Sequence, residues 1–459
     1  MTRDLTYGKP MKLIFQFGLP ILFGFLFQQL YNAADTAIVG KFLGGDALAA
    51  VGSTGSVNFL VIGFCMGICN GFSIPIAQQF GARNYTELKK YVTGSVWLSL
   101  FFAVVITSFT VIFCADILTI MKTPDEIFDR ANTYILTIFA GIPTFFLYNM
   151  CAAILRSLGN SKTPVTWLIV SSLVNIVLDV VFIVYFRLDV FGAALATVTA
   201  QTVSGIGCLV RLIKDFSGLL SMEKSDWRFS LRHSGELCAN GLPMGLQYSI
   251  TAIGSIVIQT AVNSLGTAYV TAVTAASKLS MFMCCPFDAM GSTMATYAGQ
   301  NVGARKWNRL NKGLGSCVVI GAGYAVIALA AVLIFGGSMS MIFLDENSSE
   351  LVPLVKQYLV VQAAFYFPLA LVNIIRFMIQ GMGFSPLAAV AGVLEMIGRS
   401  IIAFMVADFG FDMVCFASPA AWILADIFLI IAYFRCRKRL ITRSADSEEA
   451  EGTLAVQGR

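Results

Sequence analysis

Charge is scarce in this chain of 459 residues, and histidine is almost missing. Only 12% of the residues are charged, half of the roughly 25% with which a soluble domain covers its surface. With 57% hydrophobic residues, the solvent for most of the chain is a bilayer. The single histidine, His233, excludes a histidine-based zinc site and a Ser/His/Asp triad. No Gly-x-x-x-x-Gly-Lys-Ser/Thr loop is present, which excludes ATP hydrolysis by a P-loop. No apolar segment carries a filter-like Gly-Tyr-Gly motif. There are eleven cysteines but no Cys-x-x-Cys, and most lie in apolar segments, where reduced, buried side chains are expected. The net charge of +5 is small and unevenly placed, which speaks against a nucleic-acid partner. The polar start Met1–Lys12 leads into an apolar run too long for a cleavable signal peptide. These absences predict a protein that is not an enzyme, holds no cofactor, and draws its energy from an ion gradient.

What is present is a duplication. Gly18-Leu19-Pro20 returns as Gly241-Leu242-Pro243, and Gly81-Ala82-Arg83 as Gly303-Ala304-Arg305. Asn149 and Gly159 have counterparts at Asn373 and Gly383, all at an offset of about 223 residues, as an internal repeat requires. A span needs about 20 apolar residues, and about twelve such runs occur. They are 13–36, 47–72, 91–114, 133–156, 164–186 and 191–213, then 237–262, 268–298, 313–335, 354–380, 387–407 and 411–434. The fold predicted is an all-α polytopic membrane protein of twelve transmembrane helices in two pseudo-symmetric six-helix bundles. An even number of spans per half gives both halves one orientation, related by an axis along the membrane normal. The expected parts are an N-lobe over 1–213, a cytoplasmic connection over 214–236 that acts as the hinge, a C-lobe over 237–434, and a disordered cytoplasmic tail over 435–459.

Lysine and arginine set the orientation. One set of connections carries Arg3, Lys9, Lys12, Arg83, Lys89, Lys90, Arg156, Lys162, Arg211, Lys214, Lys224, Arg228, Arg232, Arg305, Lys306, Arg309, Lys312 and the group Arg435, Arg437, Lys438 and Arg439. The other carries Lys41, Lys122, Arg130, Arg187 and Lys356, diluted by Asp116, Asp125, Glu126, Asp345 and Glu346. The first set is cytoplasmic by the positive-inside rule, so both termini are expected there.

A carboxylate at mid-membrane costs about 2.5–3.5 kcal/mol, so each in-span charge needs an account. Asp35 lies fifteen residues beyond Pro20, where proline removes a helix hydrogen bond and bends the helix; Pro243 is its repeat equivalent. Asp179 has Asn175 one turn earlier on the same face, and Thr197 sits in the next span. Two carboxylates, an amide and a hydroxyl make an oxygen-rich set suited to Na⁺ or a shared proton. The alternative is that the aspartates never meet and each has a private hydrogen bond. The second half lacks carboxylates at matching places: span 7 carries Gln247 and Tyr248, span 10 Asn373 and Arg376. Asp288 follows Pro286 among Met281, Phe282, Met283 and Phe287. Such a wall is adaptable and apolar, and its acid suits a cationic amphiphile; a salt bridge to Lys278 is the alternative. Tyr31, Gln247, Tyr248, Met281, Phe287 and Asp288 are the candidate substrate contacts. Glu395 and Arg399, spaced i,i+4, are expected to neutralise each other, and Asp426 to bond locally.

The chain resembles the multidrug and toxic compound extrusion (MATE) family over about 6–440. The resemblance rests on Phe17-Gly18-Leu19-Pro20, Tyr31-Asn32-Ala33-Ala34-Asp35-Thr36, Pro75 with Gln78-Gln79-Phe80-Gly81-Ala82-Arg83, Leu155-Arg156-Ser157-Leu158-Gly159-Asn160 and Ala298-Gly299-Gln300-Asn301-Val302-Gly303-Ala304-Arg305. It implies twelve helices in two bundles around a central cavity, and export of organic cations and drugs in exchange for Na⁺ or H⁺. It also implies a prokaryotic plasma membrane, with lipid around a monomer. The pattern is similar to the DinF-like branch, in which the cation-coupling residues match Asp35, Asn175, Asp179 and Thr197. The rival within the same superfamily is a flippase for lipid-linked oligosaccharide, which requires a strongly basic cavity. The rival of another class is a membrane-embedded enzyme, for which only carboxylates are at hand.

Overall fold

The computed structural model describes residues 3–342, 344 and 350–457; Asp345 and Glu346, used above for orientation, lie outside the described residues. Among the described residues, ten helices are long and apolar enough to cross a membrane. They are α1 (Pro10–Leu43), α3 (Gly55–Ala82), α4 (Tyr85–Ile112), α8 (Lys162–Val180), α9 (Asp189–Asp215), α10 (Leu231–Asn263), α11 (Thr267–Gly303), α12 (Trp307–Ser340), α15 (Ser385–Phe409) and α16 (Phe411–Gln457). The predicted spans 4 and 10 are each broken in two: α6 (Asp125–Ala140) meets α7 (Ile142–Ser157) at 45°, and α13 (Val352–Ala364) meets α14 (Tyr366–Gly381) at 49°. Counted as single spans, these pairs bring the total to the predicted twelve. Pro143 and Pro368 stand just beyond the two breaks, where a missing N–H and a fixed φ favour starting a new helix over continuing the old one. Short helices α2 (Gly45–Ser53) and α5 (Cys114–Ile120) complete the set.

The repeat is written in the backbone. Arg83 and Arg305 both adopt left-handed φ, 57° and 54°, and Gly159 and Gly383 do so at 84° and 88°. Each pair ends equivalent helices, where a left-handed residue closes the last turn. Gly81 and Gly303 serve close packing. A Cβ on Gly81 would fall 1.9 Å from the Gln300 carbonyl oxygen, and one on Gly303 1.8 Å from that of Gln78. The two copies of the motif therefore lie against each other.

The chain divides into two compact units. The first comprises 1–3, 17–76 and 85–256; the second comprises 4–16, 77–84 and 257–459. Helices α1, α3 and α10 each contribute a part to both. In the first unit α3 and α10 touch backbone to backbone: a Cβ on Gly71 would lie 2.4 Å from Gly241 Cα, and one on Gly67 2.5 Å from the Met244 carbonyl oxygen.

Two expectations need correction. The connection 214–236 is not a free hinge but is fastened along α4 within the first unit. Lys89 Nζ donates to the Ser221 carbonyl at 2.7 Å, Thr93 Oγ1 to that of Asp226 at 2.7 Å, and Trp97 Nε1 to that of Trp227 at 3.2 Å. His233 Nε2 meets Glu87 Oε2 at 2.7 Å, and Tyr91 donates to Glu236. The tail predicted as disordered continues as helix: α16 runs without a break from Phe411 to Gln457. Its Ser444–Ala450 stretch is polar but rich in good helix formers, so propensity extends a helix that burial has already nucleated. All eleven cysteines are free, and nine are buried.

Candidate functional site

The acids of the first unit meet. Asp35 on α1 and Asp179 near the end of α8 are within side-chain hydrogen-bonding contact. Asp179 is fully buried and Asn175, one turn before it, is 1% exposed. With its amide oriented to satisfy both sides, Asn175 donates to Asp179 Oδ2 at 3.2 Å and accepts from the Thr197 N–H at 3.3 Å. Thr197 Oγ1 donates to the Ala193 carbonyl at 3.2 Å. Four residues from α1, α8 and α9 thus form one group, and the reading of two aspartates that never meet is set aside. Directly beyond Asp179 the chain turns into a π-helical stretch, Val181–Tyr185. Such turns open a helix locally and recur at functional sites.

Two oxygens in the group, Asp35 Oδ1 and Asp179 Oδ1, are buried and have no hydrogen-bond partner among the described residues. Two carboxylates in contact cannot both stay ionised without something positive between them. One proton, or one small cation, resolves both the repulsion and the unmade bonds. The donor set is oxygen throughout, without thiolate or imidazole, which suits a hard monovalent cation such as Na⁺ as well as a proton. Among the described residues no cluster of three or more His, Cys, Asp or Glu exists that could hold a resident metal.

A small polar cavity opens beside the group. It is lined by Tyr31, Ser171, Ser172, Asn175, Thr197 and Gln201, with Leu168 and Ala200. Gln201 is 9% exposed, and its Oε1 is buried without a partner among the described residues. Tyr31 lies one helical turn before Asp35, and Tyr134 of α6 stands close enough to both acids to feel their charge. The sequence reading singled out charged residues and missed Tyr134, Ser171, Ser172 and Gln201. The signal was available: Thr197, Gln201 and Ser204 repeat at i, i+4 and i+7, which places them on one face of α9.

The six candidate substrate residues are divided between the units. Tyr31, Gln247 and Tyr248 belong to the first, Met281, Phe287 and Asp288 to the second. Tyr31 lines the acid cavity. Gln247 is buried, and Tyr248 packs against α3 at Gly63. Phe287 is fully buried, its ring between Tyr324 at 5.1 Å and Tyr366 at 5.5 Å, so it is a core residue and not a cavity wall. Met281 and Asp288 are exposed. A salt bridge from Asp288 to Lys278 is excluded by distance: ten residues along one helix is about 15 Å.

The second unit holds its own buried charges. Arg376 pairs with Glu395, which also faces Arg399 Nη2 at 3.5 Å, and Asp426 stands beside Arg376. The expected Glu395–Arg399 pair is present within a larger group of two arginines and two acids. Its formal charge is balanced, as a buried group must be to avoid a heavy desolvation penalty.

The MatE family model matches residues 20–181 and again 243–406, two copies whose starts are 223 residues apart. The probable multidrug resistance protein YpnP of Bacillus subtilis (strain 168) is 27% identical over 428 residues, 92% of this chain and 91% of its own length. A FAD transporter of Shewanella oneidensis is 22% identical over 313 residues, 66% of this chain and 68% of its own. Among solved structures, a MATE protein in complex with MaL6 superposes with a TM-score of 0.88 over 96% of this chain and 99% of its own, at 23% identity, a likeness of fold.

Proposed function

The chain belongs to the MatE family, and we propose that it is a secondary active antiporter that exports small organic molecules by alternating access in exchange for Na⁺ or H⁺. The observation that carries this reading is the contact between the half-buried Asp35 and the fully buried Asp179. A coupling site must have a charged, unstable empty state and a neutralised, stable filled one. A pair of touching carboxylates has that property, because the guest cancels their repulsion and supplies the missing partner of each Oδ1. Asn175 donates to Asp179 and is itself held by the Thr197 N–H. Tyr31, one turn from Asp35, contributes its side chain to the cavity lining. The excess of lysine and arginine on one set of connections supports an orientation with both termini in the cytoplasm; the family resemblance is the ground for reading the protein as a lipid-embedded monomer of a prokaryotic plasma membrane. The chain resembles the DinF-like branch at these same four positions.

Proteoliposomes with the Na⁺ gradient and the pH gradient imposed one at a time test the reading. Efflux of a cationic dye should follow one of the two gradients and disappear in Asp35→Asn. Efflux that follows neither, or persists in that variant, overturns it.

A further inference from the structure

Arg156 stands out once the acids are accounted for. By sequence it counts as a loop cation near the cytoplasm. In the structure it occupies the last turn of α7, and its guanidinium turns back into the first unit, in the direction helical side chains lean. Its Nη2 donates to Asn70 Oδ1 at 3.0 Å. Asn70 stands twelve residues before the cytoplasmic end of α3, about 18 Å along the axis, so this contact lies well within the span. The groups near enough to act on Arg156 electrostatically are Tyr148 of α7, Tyr248 of α10, Cys208 of α9 and Cys69 of α3. None is a carboxylate. A cation drawn into a membrane bundle is costly, and such residues almost always pair or face an aqueous path. The arginines of the second unit obey that rule through Glu395 and Asp426. Arg156 has no acid partner among the described residues.

Its donors are also unspent. Of the five N–H bonds a guanidinium offers, one is used among the described residues. The unused nitrogens do not figure among the buried polar atoms without partners, and the residue is half-buried, so they remain open to approach. Tyr148 and Tyr248 supply aromatic rings nearby, and Tyr148 has its own hydroxyl committed to the Pro164 carbonyl at 3.4 Å. A forked cation with free donors, set among aromatic and apolar groups inside a transport protein, is chemistry for a carboxylate on an aromatic molecule.

We propose that Arg156 is a specificity-determining substrate contact that receives the carboxylate of an aromatic amphiphile. The inference rests on the export reading above and assigns one residue of its substrate path.

Rhodamine B and its ethyl ester test it, because they share one fluorophore and differ only in the carboxylate. Binding of each to the purified full chain is read by fluorescence anisotropy. Wild type should bind rhodamine B at least about tenfold tighter than the ester, the worth of one charge-assisted contact. Arg156→Gln should remove that preference by weakening rhodamine B and leaving the ester unchanged. Arg156→Lys, which keeps the charge but loses the fork, should give an intermediate ratio. A wild type that binds the two probes equally overturns the proposal without any variant. So does an Arg156→Gln protein that weakens both probes alike or neither. Uptake of the ester into proteoliposomes under a gradient separates the two readings. Intact ester transport with no preference for the carboxylate removes the Arg156 assignment alone. Preference for the carboxylate without gradient-driven transport removes the antiporter reading alone.

Discussion

Asp179→Asn is the most informative substitution in the molecule. It keeps side-chain size in a fully buried position and removes one of the two charges that touch there. Asn175 loses its carboxylate partner but can still bond the new amide oxygen. The fold should therefore persist while the site loses its demand for a cation. Two magnitudes follow. A monovalent guest present at about 100 times its Kd stabilises the protein that binds it by about 2.7 kcal/mol. In thermal unfolding of purified protein, raising Na⁺ or lowering pH should therefore raise the wild-type transition, and this shift should vanish in the variant. In vesicles, one charge moving through 100 mV is worth about 2.3 kcal/mol, enough for about 50-fold accumulation of a substrate coupled to it. The variant should bring substrate only to equal concentration on the two sides. A variant that still accumulates substrate, or that keeps its cation-dependent thermal shift, would refute the shared-cation reasoning, whatever it did to the absolute rate.

Other outcomes follow from geometry already described. Gly81→Ala and Gly303→Ala each press a methyl group into a backbone carbonyl, at 1.9 and 1.8 Å; each should lower folded yield and thermal stability by more than about 2 kcal/mol, comparable to severe overpacking, as read by size-exclusion profile and melting. Phe287→Ala should cost about 3–5 kcal/mol as a core truncation; a variant of normal stability with altered drug preference would restore Phe287 to a substrate wall. Thr93→Val with Trp97→Phe removes two fastenings of the 214–236 connection. That pair should speed trypsin cleavage at Lys224 and Arg228 severalfold, and unchanged cleavage would mean that the fastenings do not hold the segment.

Much of this was legible from sequence because a bilayer imposes a simple code. Runs of about 20 apolar residues mark spans, and the duplicated motifs mark equivalent positions. Spans 4 and 10 were found as runs, but their breaks were not, since apolar composition continues through Gly141 and Phe365 while the backbone turns by 45° and 49°. The meeting of Asp35 with Asp179 was legible only as a choice, because periodicity places a residue on a face but not a face against its partner. The resemblance favoured one side of that choice. Phe287 was misjudged for the same reason: Asp288 is exposed, and the next residue in a helix points about 100° away, into the aromatic core. Tyr134 and Gln201 carry no charge, so the cost of burying a charge does not mark them in the sequence. The tail was read from polarity, which reports burial, while helix continuation was decided by propensity.

The contact between the two Gly-Ala-Arg motifs has a consequence for origin. Gly81 lies against Gln300 and Gly303 against Gln78, and each residue is the repeat equivalent of its partner's partner. That reciprocity is the signature of an isologous interface, the kind that joins identical subunits about a two-fold axis. A gene half this length would already encode the seam, and two copies of its product could close on each other through it. Such an origin is compatible with divergence of the two copies elsewhere, one keeping a pair of acids and the other a neutralised quartet of charges.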